Sequence, residues 1–323
     1  IKNEYFPGNM FPFISIFNNK FNLFFITIPL FFDNYYIQML IKVKYSKELI
    51  LIIRNILCII FLVIKMNEEN LITYYNKFNE DKRLTHRHGI IEFNTTIKYI
   101  DKILKNMNNP KIIDVGAGCG KYSIYLSDKG YDVTAIELVK HNLMTLKSKN
   151  KNVKAYHGNA LNLSKFKDNS FDMVLLFGPL YHLISMKDKL KALMEAKRIV
   201  KEGGYILISY YMNEYAVIKH GFMENNITSA IKNGDIDENF HVTPKETDLY
   251  SMVRIKDINY LKCKANLKRV KIISQDGPSD YIRSVINKMD DETFKLYFKY
   301  HLKTCEMKEL LGASSHVLDI LKK

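Results

Sequence analysis

Three glycines at alternating positions follow a short apolar run in this 323-residue chain, and this motif indicates chemistry more directly than any other. Residues 111–115 predict a buried strand, and the glycine run begins directly after it. Glycines in this pattern let the backbone close around a ligand, and the helix predicted to follow directs its free N–H groups into the same crevice. The residues of this predicted nucleoside-binding loop are Asp114, Gly116, Ala117, Gly118 and Gly120.

Polar residues also follow the next two predicted strands. The run 131–136 ends in Glu137, 17 residues past Gly120, where a carboxylate can accept hydrogen bonds from both hydroxyls of a ribose. The run 153–156 leads to Asn159 and Ala160, whose amide side chain and backbone N–H could read the edge of an adenine. The three strand ends together predict a site for an adenosine-containing ligand.

Lys121 argues against a nicotinamide dinucleotide as that ligand. The dinucleotide fingerprint needs its third small residue one position after Gly120, where this chain has Lys121. A nicotinamide-dependent dehydrogenase is therefore a disfavoured alternative.

The ordered set of motifs resembles the class I S-adenosylmethionine-dependent methyltransferases over about residues 66–323. Residues 171–177 resemble the fourth strand of that family, residues 178–183 its active-site loop, and residues 200–204 the turn before its fifth strand. Two positions depart from the family pattern: Asn159 stands where Asp is more frequent, and Glu202 stands where Pro is usual. The resemblance implies S-adenosylmethionine as cofactor, with Leu138 and Phe177 as additional cofactor contacts.

His182 and Tyr181 are the candidate catalytic residues. A histidine just beyond strand four would lie near the transferred methyl group and titrates near neutral pH, so His182 can act as a general base for acceptors that need one. Packing or loop closure is the competing interpretation of His182, and Tyr181 can shape the pocket. Tyr75 and Arg83 are expected to close over the cofactor, and Arg83 could instead hold an anionic substrate. Asp114 is expected to orient the glycine loop through hydrogen bonds to its backbone.

The elements that position these residues alternate between short apolar strands and amphipathic helices. This alternation predicts a doubly wound α/β fold of the Rossmann-like type, with a seven-stranded, mostly parallel sheet. The predicted methyltransferase domain spans residues 66–323. Its parts are a helical cap (66–109), a cofactor-binding core (111–211), a mostly helical lid insertion after strand five (212–250) and C-terminal strands and helices (251–323).

Residues 1–65 differ from the rest of the chain. They contain two apolar runs, 21–32 and 49–64, and the second is 16 residues long and includes Arg54, short of the roughly 20 residues that a spanning helix needs. Three interpretations stay open for this extension: translation upstream of a true start at Met66, a membrane-associated hairpin, or a soluble segment packed on the domain. A membrane is an expected partner only under the second interpretation.

The cysteines and histidines favour a reducing compartment and no metal. The four cysteines lie far apart without a CxxC pair, which suggests a cytoplasmic location and disfavours disulfides or zinc. His86 and His88 have no carboxylate or cysteine at ligand spacing. No metal site is therefore predicted.

The expected function is transfer of a methyl group to a small-molecule acceptor. An RNA methyltransferase acting on transfer or ribosomal RNA is the enzymatic alternative, and its only support is the formal net charge of +14, because clustering of charge on one face is the diagnostic feature of nucleic-acid binding. A non-catalytic S-adenosylmethionine-binding protein is the second alternative. The sequence does not define the acceptor or the oligomeric state.

Overall fold

The computed structural model describes residues 15–18, 24–30, 35–41, 69–77, 80–149 and 151–323. The chain divides into two compact units, Ile1–Val63 and Ile64–Lys323. In the first unit, strands β1 (Ser15–Asn18), β2 (Phe24–Leu30) and β3 (Tyr35–Ile41) form an antiparallel sheet in the order β1-β2-β3. The apolar run 49–64 lies outside the described residues.

The second unit is built on a seven-stranded sheet. Its strands are β4 (Lys111–Val115), β5 (Asp132–Glu137), β6 (Val153–His157), β7 (Phe171–Leu176), β8 (Val200–Tyr211), β9 (Lys268–Ser274) and β10 (His316–Lys322). Their order is β6-β5-β4-β7-β8-β10-β9, and only β10 runs antiparallel to its neighbours. The predicted doubly wound, mostly parallel sheet is confirmed.

Helices cover both faces of this sheet. They are residues 69–77 (α1), α2 (Glu80–Arg83), α3 (Arg87–Leu104), α4 (Lys121–Asp128), α5 (Lys140–Ser148), α6 (Pro179–His182), α7 (Met186–Ile199), α8 (Asn213–Ala216), α9 (Ile227–Lys232), α10 (Ile255–Lys264), α11 (Arg283–Ile286) and α12 (Asp291–Thr304). Ile113 of β4 belongs to the apolar cluster that contains Leu193 of α7, and its neighbour Ile112 to the cluster that contains Ile100 of α3. Successive side chains thus enter opposite layers, which explains why β4 is apolar on both faces.

The ligand crevice lies where the chain direction reverses across the sheet. The chain leaves β4 toward β5 on one side, and β7 pairs with β4 on the other. In doubly wound sheets, ligands bind outside the carboxyl ends of the strands at this point. The glycine loop and Phe177 follow strands that end here, and Glu137 is the last residue of β5.

The insertion after β8 is helical only in its first half. Helix α8 continues into a π-helical segment, Val217–Met223, and α9 follows, whereas residues 233–250 contain no helix. Asp237 accepts hydrogen bonds from the backbone N–H groups of Asn239 and His241, and such local bonds compete with helix formation. The second half of the lid is therefore irregular chain.

None of the helices in the described ranges combines the length and the hydropathy that a membrane-spanning helix requires.

Candidate active site

The glycine loop connects β4 to α4 and is tied to the adjacent strand. The N–H groups of Gly116 and Ala117 both donate to the carbonyl oxygen of Ile136, at 2.8 and 3.0 Å. Gly116 has φ +78° and Gly118 has φ +56°, a region that disfavours other residues. A Cβ at Gly116 would lie 2.6 Å from Cδ of Pro179. The loop therefore needs glycine for its backbone conformation and for its approach to the chain after β7.

A cavity of about 260 Å³ opens over this loop. Thirteen of the residues predicted for the site line it: Tyr75, Arg83, Asp114, Gly116, Ala117, Gly118, Glu137, Leu138, Asn159, Ala160, Phe177, Tyr181 and His182. The cap contributes further wall residues, among them Leu71 and Glu80. Gly120 does not line the cavity, and a Cβ there would overlap the side chain of Leu146. The glycine at position 120 thus serves the packing of α4 on α5.

Glu137 is fixed at the tip of β5 by two backbone hydrogen bonds. Its Oε2 accepts from the N–H of Gly118 and its Oε1 from the N–H of Val139, both at 2.8 Å. Burial raises the pKa of Glu137 to about 7, while these two bonds favour the ionised form. A carboxylate can accept more than one hydrogen bond on each oxygen, so both oxygens can also receive hydroxyl donors from a ligand.

Asp114 bonds to α4 rather than to the glycine loop. Its Oδ2 accepts from the Ser123 hydroxyl at 2.6 Å, and the Ser123 backbone N–H also bonds its side chain. Burial raises the pKa of Asp114 to about 6. The expected bonds to the loop backbone are thus replaced by bonds to the first turn of α4, where free N–H groups attract a carboxylate.

Asn159 shapes the loop that follows β6. Its Oδ1 accepts from the backbone N–H of Leu161 at 2.9 Å, which closes an Asx-type turn. This bond holds Asn159 and Ala160 at the cavity wall. The side-chain carbonyl is therefore part of the loop structure as well as of the cavity surface.

His182 is a neutral imidazole held by two hydrogen bonds. Its Nδ1 lies 2.9 Å from the Leu249 carbonyl oxygen and its Nε2 lies 2.9 Å from the Tyr75 hydroxyl. Because a carbonyl oxygen only accepts, Nδ1 carries the proton and Nε2 accepts from Tyr75. Burial lowers the pKa of His182 to about 4. The basic nitrogen therefore faces Tyr75 of the cap.

Lys189, which no sequence motif indicated, holds the active-site loop by hydrogen bonds. Its Nζ donates to the carbonyl oxygens of Leu180 and Leu183, the latter at 2.7 Å, and lies 3.5 Å from that of Ser251. The side chain is buried, and burial lowers its pKa to about 7. The signal for this role was a lysine at a buried position of α7. Lysine is rarely buried without partners.

A second cavity of about 500 Å³ adjoins the first. The two share Tyr75, Glu80, Arg83 and Tyr181 as wall residues. Other side chains in the second cavity include Tyr74, Tyr211, Tyr215, Tyr250, Glu92, Asp276, Asp280 and His316. None of these residues lies in a recognisable sequence motif. Among these residues, only Glu92 could have indicated a site, since it is an acidic residue on the buried face of α3.

Arg83 lies between two carboxylates. Its Nε donates to Glu80 Oε1 at 3.0 Å and its Nη1 to Glu92 Oε2 at 2.9 Å. The other oxygen of Glu80, Oε2, is buried and has no hydrogen-bond partner among the described residues. Because its charge is already compensated, Arg83 is a poor anchor for the anionic substrate that the sequence analysis considered.

Glu92, Asp276 and His316 converge in the second cavity, with one atom of each within 4.8 Å of the others. Such a set could hold a metal ion, but its members already form ion pairs. Glu92 is paired with Arg83, and His316 Nδ1 lies 3.1 Å from Asp276 Oδ2. Burial opposes protonation of His316, but the Glu92 and Asp276 carboxylates outweigh it and raise its pKa. The geometry is that of an ion-pair network.

Comparison with known proteins agrees with this geometry. Residues 113–208 match the family model described as a methyltransferase domain. An uncharacterized protein of Methanocaldococcus jannaschii is 32% identical over 121 residues, which are 37% of this chain and 50% of that protein. The glycine/sarcosine N-methyltransferase of Aphanothece halophytica is 26% identical over 130 residues, 39% of this chain and 49% of that enzyme. The chain thus spans about half the length of these curated relatives.

Solved structures are similar at lower identity. A crystal structure of an S-adenosylmethionine-dependent methyltransferase from Methanosarcina mazei is 16% identical, with a TM-score of 0.47, and the match covers 69% of this chain and 96% of that one. The matched family model spans the glycine loop, Glu137, residues 159–160 and the loop after β7. Residues 113–208 of this chain are therefore similar to the methyltransferase-domain family that this model describes.

Proposed function

We propose that this protein transfers the methyl group of S-adenosylmethionine to a small-molecule acceptor bound in the second cavity. The observation that carries the proposal is the wall of Tyr75, Glu80, Arg83 and Tyr181 that both cavities share. Methyl transfer is an in-line displacement, so nucleophile, methyl carbon and sulfur must be aligned, and such positioning can supply about 7 kcal/mol or more of the barrier. Two adjoining cavities provide this arrangement.

The side chains of the first cavity fit the cofactor. Glu137 would accept hydrogen bonds from the ribose hydroxyls, residues 159–160 would hold the adenine, and the glycine loop would hold the amino-acid part. The buried Glu80 Oε2, which has no partner among the described residues, supports a ligand that brings a hydrogen-bond donor. The cofactor supplies a methyl group already activated by the positive charge on its sulfur.

In this proposal His182 acts through Tyr75. Its Nε2 is occupied by the Tyr75 hydroxyl, and Tyr75 lines both cavities. His182 is thus a positioning residue that holds the hydroxyl between cofactor and acceptor. Tyr181, which lines both cavities beside it, would bound the path along which the methyl group moves.

The charge of the second cavity favours a small molecule over RNA. Its four carboxylates, Glu80, Glu92, Asp276 and Asp280, outnumber its Lys and Arg side chains, Lys82, Arg83 and Arg283. RNA-binding surfaces carry clustered cations instead, since these attract the phosphate backbone. The amine acceptor in the name of the Aphanothece halophytica relative is consistent with a small-molecule substrate. The net charge of +14 is a property of the whole chain and does not describe this cavity.

The test is a methyl-transfer assay with the purified full chain. S-adenosylmethionine labelled in its methyl group is incubated with a small-metabolite extract or with total RNA, and mass spectrometry measures S-adenosylhomocysteine and labelled products. We expect product only with the metabolite extract. Label transferred to RNA would support the RNA alternative, and cofactor binding without turnover in either pool would support the non-catalytic alternative.

A cytoplasmic location is part of the proposal. Cys119, Cys263 and Cys305 are free thiols in the structure, and Cys263 is exposed. Free thiols at the surface persist in a reducing compartment.

A further inference from the structure

The second cavity has an aromatic wall made of Tyr181, Tyr211, Tyr250 and His316. The ring centroids of Tyr181, Tyr211 and Tyr250 lie 5.6–6.3 Å from one another. The His316 ring lies 5.2 Å from that of Tyr211 and 5.8 Å from that of Tyr181. These separations are those of packed aromatic pairs. The faces of the three tyrosine rings carry partial negative charge and attract cations.

The acidic groups beside this wall outnumber the cations paired with them. Glu80, Glu92 and Asp276 line the inner part of the cavity, where Arg83 bonds the first two and His316 bonds Asp276. Even with His316 protonated, three carboxylates face two cations. This part of the cavity therefore keeps at least one uncompensated negative charge.

The outer part of the cavity does not reverse this balance. Asp280 and Arg283 lie 3.8 Å apart and compensate each other. Lys82 also borders the cavity, but it is exposed to solvent, where its charge is screened. The excess negative charge thus lies in the buried part, where electrostatic interactions are stronger.

We propose that the acceptor carries a positively charged nitrogen, as in an alkylamine or alkylammonium compound, and that this group binds between the aromatic wall and the carboxylates of Glu92 and Asp276. The inference rests on the proposed function and adds the class of substrate. It concerns recognition, whichever atom of the acceptor receives the methyl group. An acceptor with a carboxylate at the same place would be repelled by Glu92 and Asp276. An acceptor with a neutral group there would lack the electrostatic attraction.

The test compares three probes of similar size and different charge: 2-phenylethylamine, 2-phenylethanol and phenylacetate. Isothermal titration calorimetry on the full chain saturated with S-adenosylhomocysteine measures their affinities. We expect the amine to bind at least about tenfold more tightly than the other two, which corresponds to about 1.4 kcal/mol. Equal or tighter binding of the alcohol or the carboxylate, or no binding of the amine, overturns the inference.

Variants identify the site of amine binding. Glu92→Gln and Asp276→Asn remove charge at nearly constant shape, and each is expected to weaken amine binding about tenfold or more. Tyr211→Leu keeps the carboxylates, removes one ring of the wall and is expected to weaken it several-fold. Glu309→Gln removes a carboxylate from an exposed position outside both cavities and should change nothing. Amine binding that survives all three cavity variants contradicts the assignment.

Two further readouts separate the possible failures. Titration of the same protein with MnCl₂ or ZnCl₂ tests the metal alternative, and tight binding that is lost in Asp276→Asn would replace the amine by a metal at this site. Affinity for S-adenosylhomocysteine is measured first. If S-adenosylhomocysteine does not bind, the proposed function fails. If it binds and 2-phenylethylamine does not, only the proposed substrate class is wrong.

Discussion

At the scale of single residues, Glu137 links the two strand ends at which we propose that the cofactor binds. Its carboxylate receives the N–H groups of Gly118 in the glycine loop and of Val139 at the start of α5. Since the side chain is buried and held at both oxygens, little reorganisation is needed when a ligand hydroxyl arrives. The carboxylate is thus preorganised to accept hydroxyl groups of a ligand, and the loop beside it is sensitive to any added side chain.

The first prediction concerns the glycine loop. Gly118→Val should abolish cofactor binding, because φ is +56° and a Cβ would lie 3.3 Å from Cγ of Glu80. Gly130→Val is the matched control: φ is +88°, but no atom lies within 4 Å of an added Cβ. The control should lose some stability and keep its affinity in calorimetric titration with S-adenosylmethionine. Equal affinity in the two variants would contradict the site.

The second prediction concerns the ribose contact. Glu137→Ala should weaken binding of S-adenosylmethionine by about 1 to 3 kcal/mol, as expected when hydrogen bonds to a charged acceptor are lost. Asp132→Ala removes a carboxylate from the opposite end of β5, where it pairs with Lys154 on the surface. Affinity of the control should match that of the wild type. A Glu137→Ala variant that binds equally well would show that the ribose is held elsewhere.

At the scale of elements, Lys189 couples α7 to the active-site loop and to the end of the lid insertion. Its ammonium bonds Leu180, Leu183 and Ser251, and the Ser251 N–H donates to the Tyr181 carbonyl oxygen at 2.8 Å. Leu249, two residues earlier, holds His182. One buried amino group therefore connects both chain segments that position Tyr181 and His182.

The third prediction follows from the pKa of Lys189. That pKa is lowered from its usual value to about 7 by burial, so between pH 7 and pH 10 the folded protein binds fewer protons than the unfolded chain. The free energy of unfolding should then rise with pH across this range. Between pH 7 and 9.5 the rise should be on the order of 2 kcal/mol. It should be absent in Lys189→Met.

Urea unfolding at the two pH values measures this effect. Lys187→Met, on the exposed side of the same helix, is the control and should keep the wild-type dependence. The difference between the variants cancels the titration of other groups. If the stability of Lys189→Met depends on pH as that of the wild type does, the pKa of Lys189 is not lowered in the folded protein.

At the scale of the whole molecule, the chain consists of two compact units, and both cavities lie in the second. Their described lining residues extend from Leu71 to His316, within Ile64–Lys323. Cofactor binding should therefore depend on the second unit.

The fourth prediction is that a chain beginning at Met66 binds S-adenosylmethionine as tightly as the full chain. Each should gain about 2.7 kcal/mol of stability at a cofactor concentration of 100 times Kd. Thermal unfolding with and without cofactor measures both. A shorter chain that unfolds or loses affinity would show that residues 1–65 contribute to the fold or to the site.

What the sequence determined by itself was the local structure around the cofactor. The period of the apolar residues defined the parallel strands, and the glycine spacing and the acid at Glu137 predicted a nucleoside at their ends. These features depend on neighbouring residues, for which backbone geometry and turn chemistry are decisive. The expected hydrogen-bond partner of Asp114 was wrong even so, because Asp114 bonds Ser123 in the first turn of α4.

The second cavity was decided only by the tertiary structure. Glu92 lies on α3, Asp276 follows β9 and His316 begins β10, and they meet because β10 inserts between β8 and β9 while α3 packs on the same sheet. No local pattern encodes that order of strands. Lys189 likewise resembles the other lysines in the sequence, and only the tertiary structure shows its three carbonyl partners. The lining of the second cavity therefore depends on long-range packing, whereas the predicted cofactor contacts follow from short-range sequence.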